Sequence, residues 1–437
     1  MMRRLFGATG ALLLAIGLTA CTDPGAETTT GDTGTVTWND PAATLDGVKL
    51  TVWAAQNSNT VPQQVIEGFQ RATGATVQVV TIPDPYEQGV QTKVATGDKP
   101  DLAFWQPTAS MLTAINAKTN LQPLTGAPWL GALDPALKDI TGLLDGTRYA
   151  ALVTSPAVEG VYYNKQVLAA NGVTTPPKTF DALVDLARTL KGKGVTPFYE
   201  MGADRWATQW WVQVQLADAA KAGLWDRINT GQEKFTDTTV LNAVTRYDSL
   251  IKEGLFNKDI KTATFEDQGT ALLAGKAAMV VQVNSFFGQL QAKADTAALN
   301  EKIGFFPIAP SGNVGTVIPD QSNALVAFRT GDDKREAAAR QLLAYWMGPG
   351  YPEFVAGRNT VSLETAVANP PGVPQALLDV HAAVAGSAGS MQALAVANPD
   401  LYLNLADMIA GTMTPAQVTE ATQKQFEQLA KAAGHLK

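Results

Sequence analysis

The feature that most constrains this chain is an alternation of two hydrophobic patterns that begins at residue 48. In "VKLTVWA" (48–54) apolar and polar side chains alternate, which predicts a β-strand. The next segment has the pattern of an amphipathic helix, with Pro62 suited to its first turn and Gly74 to its end. A second strand pattern, "TVQVVTI" (76–82), and a helix over about 84–96 follow. Strands that alternate with helices predict an α/β fold built on a largely parallel sheet.

The rest of the chain repeats this alternation and then becomes helical after about residue 332. A further amphipathic helix is predicted at "KTFDALVDLARTL" (178–190), and Thr414 followed by Pro415 predicts the start of the last helix. The other predicted strands are "DLAFW" (101–105), "TRYAALV" (147–153), "EGVYYN" (159–164), "AAMVVQV" (277–283), "KIGFFPI" (302–308) and "NALVAFR" (323–329).

The first residues have the layout of a secretory signal peptide. Arg3 and Arg4 precede an uncharged apolar run over residues 5–20 that ends in small residues. The run has 16 residues, fewer than the roughly 20 that span a bilayer core as a helix. A signal peptide over residues 1–20 is the favoured interpretation, and a short membrane anchor is the alternative.

The end of this run, "LTAC" (18–21), resembles the lipobox of bacterial lipoproteins. In that family the cysteine thiol is lipidated and the chain is cut just before it. The resemblance implies that Cys21 carries two acyl chains of the palmitate type, enough for stable membrane anchoring. The alternative is an unmodified cysteine in a discarded leader. Because Cys21 is the only cysteine, lipidation leaves no thiol for a disulfide, a nucleophile or a metal site.

Residues 22–46 are rich in Thr, Gly, Asp and Pro, so residues 21–47 are expected to form a lipidated cysteine and a flexible tether. Trp38 is the exception, a large apolar side chain suited to docking on the body. Cleavage before Cys21 would leave 417 of the 437 residues, which favours two lobes or domains. Loss of the leader arginines takes the formal net charge from −7 to −9, which argues against a nucleic-acid partner.

Residue types that carry catalysis are scarce in this sequence. The two histidines, His381 in a predicted helix and His435 near the C-terminus, are poorly suited to a Ser–His–Asp arrangement. The sequence has no G-x-S-x-G, H-E-x-x-H or EF-hand motif, so no catalytic residue, cofactor or metal is expected. Glycoside hydrolysis remains an alternative because it needs only two carboxylates. The candidate acids at predicted strand ends are Asp84, Glu159, Glu200 and Asp320.

Aromatic and amide side chains recur where the predicted strands end. The segments are "WAAQNSN", "FWQP", "YYN", "YEMGADRW", "VQVNSFF" and "IPDQSN". Ligands of open α/β sheets bind outside the carboxyl ends of the strands. Aromatic rings pack on the flat C–H faces of a sugar, and amides and carboxylates hydrogen-bond its hydroxyl rim. The pattern therefore favours a carbohydrate ligand, and the alternative is that these rings close the core.

Several segments, in their order and spacing, carry a resemblance to a known family: "ATGDKPDLAFW" (95–105), "YYNKQVLAANG" (162–172) with "PPKTFDAL" (176–183), and "ALLAGKAAM" (271–279). From about residue 48 to the C-terminus the chain resembles the extracellular solute-binding proteins of ABC importers, especially the sugar-binding, maltose-binding-protein-like branch. The resemblance implies a two-lobed α/β fold of the type II periplasmic-binding-protein kind. A ligand cleft would lie between the lobes, the C-terminal region would be helical, and the lobes would close on the ligand. The implied lobes are residues 48–156 plus 310–358, and residues 157–309 plus 359–437.

The resemblance also implies ligand-binding residues at the strand ends. Trp206 matches a position where the family often has a stacking ring, and one of Trp210 and Trp211 is expected to pack in the core. Asp320 lies in a loop that departs from the small turn typical of the family, so its loop shape is left open. The implied ligand-binding residues are Gln56, Asn57, Trp105, Gln106, Trp206, Asn284, Phe286 and Asp320.

These inferences together predict the substrate-binding component of a bacterial ABC transporter. It is expected to be monomeric, to catalyse no reaction, and to be anchored through Cys21 at the extracellular face of the cytoplasmic membrane. It would capture a carbohydrate, in particular an oligosaccharide, and deliver it to the permease subunits by lobe closure. The alternatives are an exported glycosidase, a binding protein for a non-sugar solute, and a scaffold lipoprotein without a small ligand.

Overall fold

The computed structural model describes residues 36–55, 62–83, 86–138, 140–319 and 323–436. The strands in these ranges are short and, apart from the second, mostly buried. They are β1 Lys49–Ala55, β2 Thr76–Ile82, β3 Leu102–Phe104, β4 Leu143–Leu144, β5 Thr147–Arg148, β6 Ala150–Leu152, β7 Ala157–Asn164, β8 Thr196–Phe198, β9 Ala277–Gln282, β10 Ile303–Phe306, β11 Thr316–Ile318, β12 Ala324–Ala327 and β13 Ala388–Gly389.

Helices separate most of these strands and predominate after residue 332, as predicted. The α-helices are α1 Gln63–Thr73, α2 Tyr86–Ala95, α3 Ala109–Ala114, α4 Ala117–Asn120, α5 Lys165–Ala170, α6 Phe180–Gly192, α7 Trp210–Lys221, α8 Leu224–Asn229, α9 Thr238–Lys252, α10 Phe265–Leu273, α11 Phe286–Gln291, α12 Thr296–Lys302, α13 Asp333–Trp346, α14 Tyr351–Arg358, α15 Gln375–Val384, α16 Met391–Leu394, α17 Leu401–Ala410 and α18 Pro415–Ala432. Short 3-10 helices cover Pro128–Gly131, Pro135–Leu137 and Trp206–Gln209. Within the described part of the chain, every helix is too short or too polar to cross a membrane.

The first sheet has the strand order β2-β1-β3-β12-β6. β1 runs parallel to β2 and β3, whereas β12 is antiparallel to β3 and to β6. Because β6 is antiparallel to β12, it runs in the same direction as β1, β2 and β3. The prediction of a largely parallel sheet is therefore correct for four of the five strands and wrong only for β12. A hydrophobic pattern reports which side chains are buried, and it contains no information on strand direction.

The second sheet has the order β13-β11-β7-β9-β8, and β10 also pairs with β7. The long central strand β7 is antiparallel to β9, β10 and β11. Only the outer pairs, β8 with β9 and β11 with β13, are parallel. This sheet is thus mixed, and its centre is antiparallel.

The chain passes between the two sheets at distinct crossovers. It leaves the first sheet after β6 and enters the second at β7, through residues 153–156. It returns between β11 and β12, that is, between Ile318 and Ala324. Because β11 pairs with β7 and β13, this return lies later in the chain than the lobe boundary at residue 310 that the family resemblance implied. After α14, which packs on α1, the chain reaches α15, which packs on β7 and β10.

Two hydrophobic cores flank the second sheet. Side chains alternate across β7, so that Val158 and Tyr162 belong to one core and Val161 to the other. The second core also receives the apolar face of α6, where the sequence predicted it. The buried residues of that helix are Phe180, Leu183, Val184, Ala187 and Leu190.

The segment that precedes β1 is packed against a loop and helices of the body. The Trp38 ring lies edge-on to Trp129 with 5.1 Å between ring centroids, and its Nε1–H donates to the carbonyl oxygen of Thr125 at 3.2 Å. The side chain of Gln341 donates to the carbonyl oxygen of Ala43 at 2.7 Å. These contacts place residues 38–43 on the body rather than in a free tether. The apolar indole of Trp38 favours this position because packing removes part of its surface from water. Residues 1–35, with Cys21, lie outside the described ranges.

Candidate ligand-binding site

Gln106, which follows β3, lies at the crossover between the sheets. Its Nε2 donates to the carbonyl oxygen of Pro319, 2.8 Å away. Pro319 directly follows β11, whose residue Ile318 is the register partner of Ala157 at the start of β7. The predicted site residue Gln106 therefore connects the end of a first-sheet strand to the point where the chain leaves the second sheet.

Asn284, which follows β9, is bonded to β7 close to the strand pair that precedes Pro319. Its Oδ1 accepts the backbone N–H of Val158 at 3.1 Å. The strand register pairs Val158 with Val317, next to the Ile318–Ala157 pair. Gln106 and Asn284, which are far apart in sequence, thus bind backbone groups of residues adjacent to the Ile318–Ala157 pair.

Trp206 is presented by a strained turn at the end of the loop after β8. Arg205 has φ 57° and ψ −51°, and the N–H of Trp206 donates to the carbonyl oxygen of Asp204 at 2.6 Å. This is the positive-φ form of the γ-turn, which is rare for a non-glycine residue and costs about 1–3 kcal/mol. Such a conformation persists only where its surroundings hold it. The turn therefore fixes the backbone position from which the Trp206 side chain projects.

Neighbouring loops hold this turn in place. The N–H of Gly202 donates to the carbonyl oxygen of Ile260 at 2.9 Å, and a Cβ at Gly202 would lie 2.3 Å from that oxygen. The carboxylate of Asp204 accepts the backbone N–H of Phe265, the first residue of α10. Hydrogen bonds thus connect the loop before Trp206 to the loop that contains Ile260 and to the start of α10.

Aromatic rings surround Trp206 on its protein side. Its centroid lies 5.1 Å from that of Phe265 and 6.1 Å from that of Trp210, both edge-on. Trp206 is half-buried, whereas Trp210 is 4% exposed and Trp211 is fully buried against Tyr247. Of the three neighbouring tryptophans, Trp206 is therefore the one that offers a free ring surface in this conformation.

Trp105 and Phe286, two further predicted site residues, are packed inside the protein. Trp105 is fully buried, and its Nε1–H donates to the carbonyl oxygen of Met111 at 3.0 Å. Phe286 is also fully buried, with its centroid 5.5 Å from that of Tyr162 and 5.9 Å from that of Phe265. Neither ring has exposed surface in this conformation, so their contact with a ligand stays a prediction. Gln56, Asn57 and Asp320 lie outside the described residues.

The acids considered for glycoside hydrolysis are deeply buried where the structure describes them. Glu200 accepts the Met201 N–H at 2.8 Å and the Tyr247 hydroxyl at 3.2 Å, and burial raises the pKa of its carboxyl to about 7. Burial raises the pKa of Glu159 well above its usual range as well. Both side chains are fully buried, so neither faces solvent in this conformation. Asp84 lies, like Asp320, outside the described residues.

Sequence reasoning missed the ring of Phe265, and it named Glu159 only as a candidate acid, without its pairing with Thr316. Phe265 is partly exposed, and its ring packs against that of Trp206. The sequence feature that could have indicated it is an aromatic residue directly after the helix cap Thr264. Glu159 has no hydrogen-bond partner for either carboxyl oxygen within the described residues, and the hydroxyl of Thr316, its register partner, also has none. No local pattern marks this pair, because it arises from the pairing of strands that are far apart in sequence.

Comparison with known proteins places this architecture in a family. Residues 54–351 match the model of the bacterial extracellular solute-binding proteins. Among curated relatives, an uncharacterized ABC transporter extracellular-binding protein of Pyrococcus horikoshii is 25% identical over 39% of this chain and 38% of its own length. Lipoprotein LipO of Bacillus subtilis is 23% identical over 54% of this chain and 50% of its own length. The chain thus matches half or less of the length of these relatives.

Similarity among solved structures extends over most of the chain. The structure of a chitin oligosaccharide binding protein is 21% identical and superposes with a TM-score of 0.71. The match covers 88% of this chain and 99% of that protein. The fold is therefore that of the type II periplasmic binding proteins, and the chain belongs to the family of bacterial extracellular solute-binding proteins.

Proposed function

We propose that this protein is the substrate-binding component of an ABC importer, and that it captures a carbohydrate, in particular an oligosaccharide, between two lobes. The family membership supports a solute-binding role. The similarity to an ABC transporter extracellular-binding protein supports an importer as its partner. The protein catalyses no reaction in this proposal, and it delivers its ligand to permease subunits by lobe closure.

The observation that carries the carbohydrate proposal is the presentation of Trp206. This half-buried tryptophan directly follows a strained turn at Arg205. The carboxylate of Asp204 bonds that turn to Phe265, and the ring of Phe265 packs edge-on against Trp206. Strain of this kind is concentrated at ligand sites. A tryptophan face with a free side suits the C–H face of a pyranose ring. A structural neighbour, the chitin oligosaccharide binding protein, binds a carbohydrate according to its name.

Polar partners for the sugar hydroxyls belong to the same proposal. Gln106 uses one side-chain group to bind Pro319, Asn284 uses one to bind Val158, and each side chain is only partly buried. An amide has both donor and acceptor capacity, so each side chain retains further groups for hydroxyls. The remaining proposed ligand-binding residues are Gln56, Asn57, Trp105, Phe286 and Asp320.

The two sheets suggest how the protein would close. We assign lobe 1 to residues 48–156 plus the segment from β12 to residue 358, and lobe 2 to the intervening residues plus 359–437. The crossovers at 153–156 and 318–324 would then act as hinges, since domain closure is absorbed by a few residues between packed bodies. A monomer is sufficient for this mechanism.

Cys21 is the proposed anchor at the extracellular face of the cytoplasmic membrane. The apolar leader and the "LTAC" segment support processing as a lipoprotein. The similarity to Lipoprotein LipO supports the same assignment. Mass spectrometry of the mature N-terminus tests it: an uncut leader or an unmodified Cys21 removes the anchor from the proposal.

A panel of mono- and oligosaccharides, screened by thermal shift and then by calorimetry, tests the binding function. We expect one class of oligosaccharide to raise the melting temperature and to be recovered intact. Release of reducing ends would replace the proposal with a glycosidase. If no sugar in the panel binds and other solutes do, the carbohydrate part of the proposal fails, whereas the solute-binding family stands.

A further inference from the structure

A polar cavity of about 280 Å³ lies apart from the Trp206 region, between the loop after α14 and helix α15. Polar side chains that line it include Asp134, Ser362, Glu364, Asn369 and His381. None of these residues belongs to the ligand site described above. The volume is just below the range of about 300–1,000 Å³ typical of small-molecule sites, so it suits a compact ligand.

The walls of this cavity are tied to each other and to a crossover. The N–H of Asp134 donates to the carbonyl oxygen of Leu363 at 2.8 Å, and an isolated antiparallel bridge joins Leu133 to Glu364. On the opposite wall, Nδ1 of His381 lies 3.3 Å from the hydroxyl of Ser155, within the crossover between β6 and β7. The cavity is thus a built feature, lined by three separate parts of the chain.

Glu364 is the group in this cavity that lacks a partner. Its side chain is 9% exposed, and its Oε1 accepts no hydrogen bond from any residue that the structure describes. The other polar groups of the loop bind each other: Asn369 accepts the N–H of Ser362, and the hydroxyl of Ser362 donates to the carbonyl oxygen of Glu364. Buried polar groups are normally hydrogen-bonded. The free oxygen of Glu364 is therefore available to accept a hydrogen bond from a ligand in the cavity.

The charges around Glu364 define the chemistry of that ligand. The described lining residues include the carboxylates of Asp134 and Glu364 and contain no lysine or arginine. Burial lowers the pKa of His381, so its ring is uncharged at neutral pH and adds no positive charge. Tyr351 faces the loop from α14, and its hydroxyl accepts the N–H of Leu363 at 2.8 Å. The cavity thus presents acceptors and negative charge, which calls for a positively charged donor.

A protonated amine fits this lining better than a metal ion does. Among the described residues, His, Cys, Asp and Glu side chains nowhere gather in groups of three or more that could hold a metal. An ammonium group needs only hydrogen-bond acceptors and a nearby negative charge. One oxygen of Asp134 already accepts the N–H of Ala136, so the carboxylate is held in position while its charge still faces the cavity. We propose that this cavity is a second binding site, for a small protonated amine held by Glu364 and Asp134.

The state of Glu364 makes amine binding dependent on pH. Burial raises the pKa of this carboxyl to about 7, so it is mostly protonated at pH 5.5 and mostly ionised at pH 8. Small aliphatic amines stay protonated over that range. The amine therefore meets an ionised Glu364 at pH 8 and a neutral one at pH 5.5, and binding is tighter at the higher pH.

Titration with ethanolamine and with putrescine, at constant ionic strength set by NaCl, tests the site by calorimetry and thermal shift. The expected result is binding at pH 8 that weakens at least tenfold at pH 5.5. Glu364→Gln should weaken binding at pH 8 at least tenfold and abolish the pH dependence. Asp134→Asn, which keeps the acceptor for Ala136, should also weaken it.

The matched control is Glu353→Gln, an exposed glutamate on α14, which should bind the amines as the unaltered protein does. Circular dichroism on each variant checks folding, and Asp134→Asn supplies the test if Glu364→Gln does not fold. Two results overturn the proposal: amines that give no more effect than NaCl, or equal binding by the variants and the unaltered protein. Neither result affects the sugar proposal, because the sugar titrations contain no amine.

Discussion

At the scale of single residues, the most informative position is Arg205, which takes a backbone conformation that its side chain does not favour. The strain is held by three contacts of the surrounding loop: those of Gly202 with Ile260, Ala203 with Ala263 and Asp204 with Phe265. A relaxed turn would leave Trp206 free to rotate with the loop. The arrangement therefore holds the backbone at Trp206 in one conformation, which in the proposed sugar site would reduce the entropy lost on binding.

Trp206→Ala should weaken sugar binding at least tenfold, which corresponds to about 1.4 kcal/mol. The reason is loss of the ring face on which the sugar packs. Calorimetry with the best ligand of the panel measures the change. The matched control is Trp38→Ala, because Trp38 is also half-exposed and packs on Trp129 away from the loop of Trp206. Affinities within twofold of each other for the two variants would remove Trp206 from the site.

A second prediction at this scale concerns the buried carboxyl of Glu200. Its pKa is about 7 in the folded protein, whereas an unfolded chain has a glutamate pKa of about 4.3. Between these values the folded state keeps a proton that the unfolded state has released, so the free energy of unfolding decreases as pH rises. Glu200→Gln should remove this contribution, which amounts to about 3 kcal/mol between pH 4.5 and pH 8.

Urea unfolding of the unaltered protein and Glu200→Gln at pH 5 and pH 8 checks this prediction. The variant should gain stability relative to the unaltered protein at pH 8, since glutamine stays neutral and still accepts the N–H of Met201. Glu420→Gln, at an exposed position on α18, is the control and should follow the unaltered protein. If the free energy of unfolding changes equally between pH 5 and pH 8 for Glu200→Gln and for the control, Glu200 is ionised over that whole pH range.

At the scale of helices and strands, local sequence signals were reliable where one local interaction decides the structure. Gly74 ends α1 with φ 75°, a backbone region open to glycine. Thr414 caps α18, and Pro415 is its first residue. Each of these outcomes depends on one residue and its immediate neighbours. The type and approximate bounds of such elements can therefore be predicted from sequence.

Strand direction and sheet membership were not predictable in the same way. β11 is short, was not identified, and belongs to the second sheet because it pairs with β7. Pairing of this kind joins residues far apart in sequence, so no window of the sequence contains it. The candidate site shows the same limit. The patterns at strand ends and in the loop after β8 led to Gln106, Asn284 and Trp206, whose contact with a ligand stays a prediction. The burial of Trp105 depends on how α3 packs against it, and that of Phe286, the first residue of α11, depends on its packing against Tyr162.

Thr414→Ala tests the energetic weight of the cap on the last helix. The Thr414 hydroxyl accepts the N–H of Gln417, and the side chain of Gln417 accepts the N–H of Thr414 at 2.9 Å. Loss of such a box should lower the free energy of unfolding by about 1 kcal/mol. Urea unfolding measures the change, with Thr414→Ser expected to retain stability. Gln428→Ala, at an exposed position on the same helix, is the control. Equal stability of Thr414→Ala and Gln428→Ala would contradict the prediction.

At the scale of the whole molecule, what matters is that the two sheets are connected by few segments. The first crossover contacts the start of β12, where the N–H of Val153 donates to the carbonyl oxygen of Asn323 at 2.7 Å. The side chain of Asn323 donates to the carbonyl oxygen of Ser155 at 2.8 Å. If the proposed lobes move, we expect the change to be absorbed at these contacts and at the third connection, between α14 and α15, as in hinge closure.

Small-angle X-ray scattering tests whether the sugar drives such a closure. Saturation with the best ligand of the panel should decrease the radius of gyration, because a ligand that contacts both lobes stabilises the closed arrangement. A sugar that calorimetry shows not to bind should leave the scattering unchanged. Trp206→Ala should show no decrease at the concentration that saturates the unaltered protein, and should recover it at higher concentration. If calorimetry shows full occupancy and the radius of gyration stays constant, the binding role stands and delivery by lobe closure is refuted.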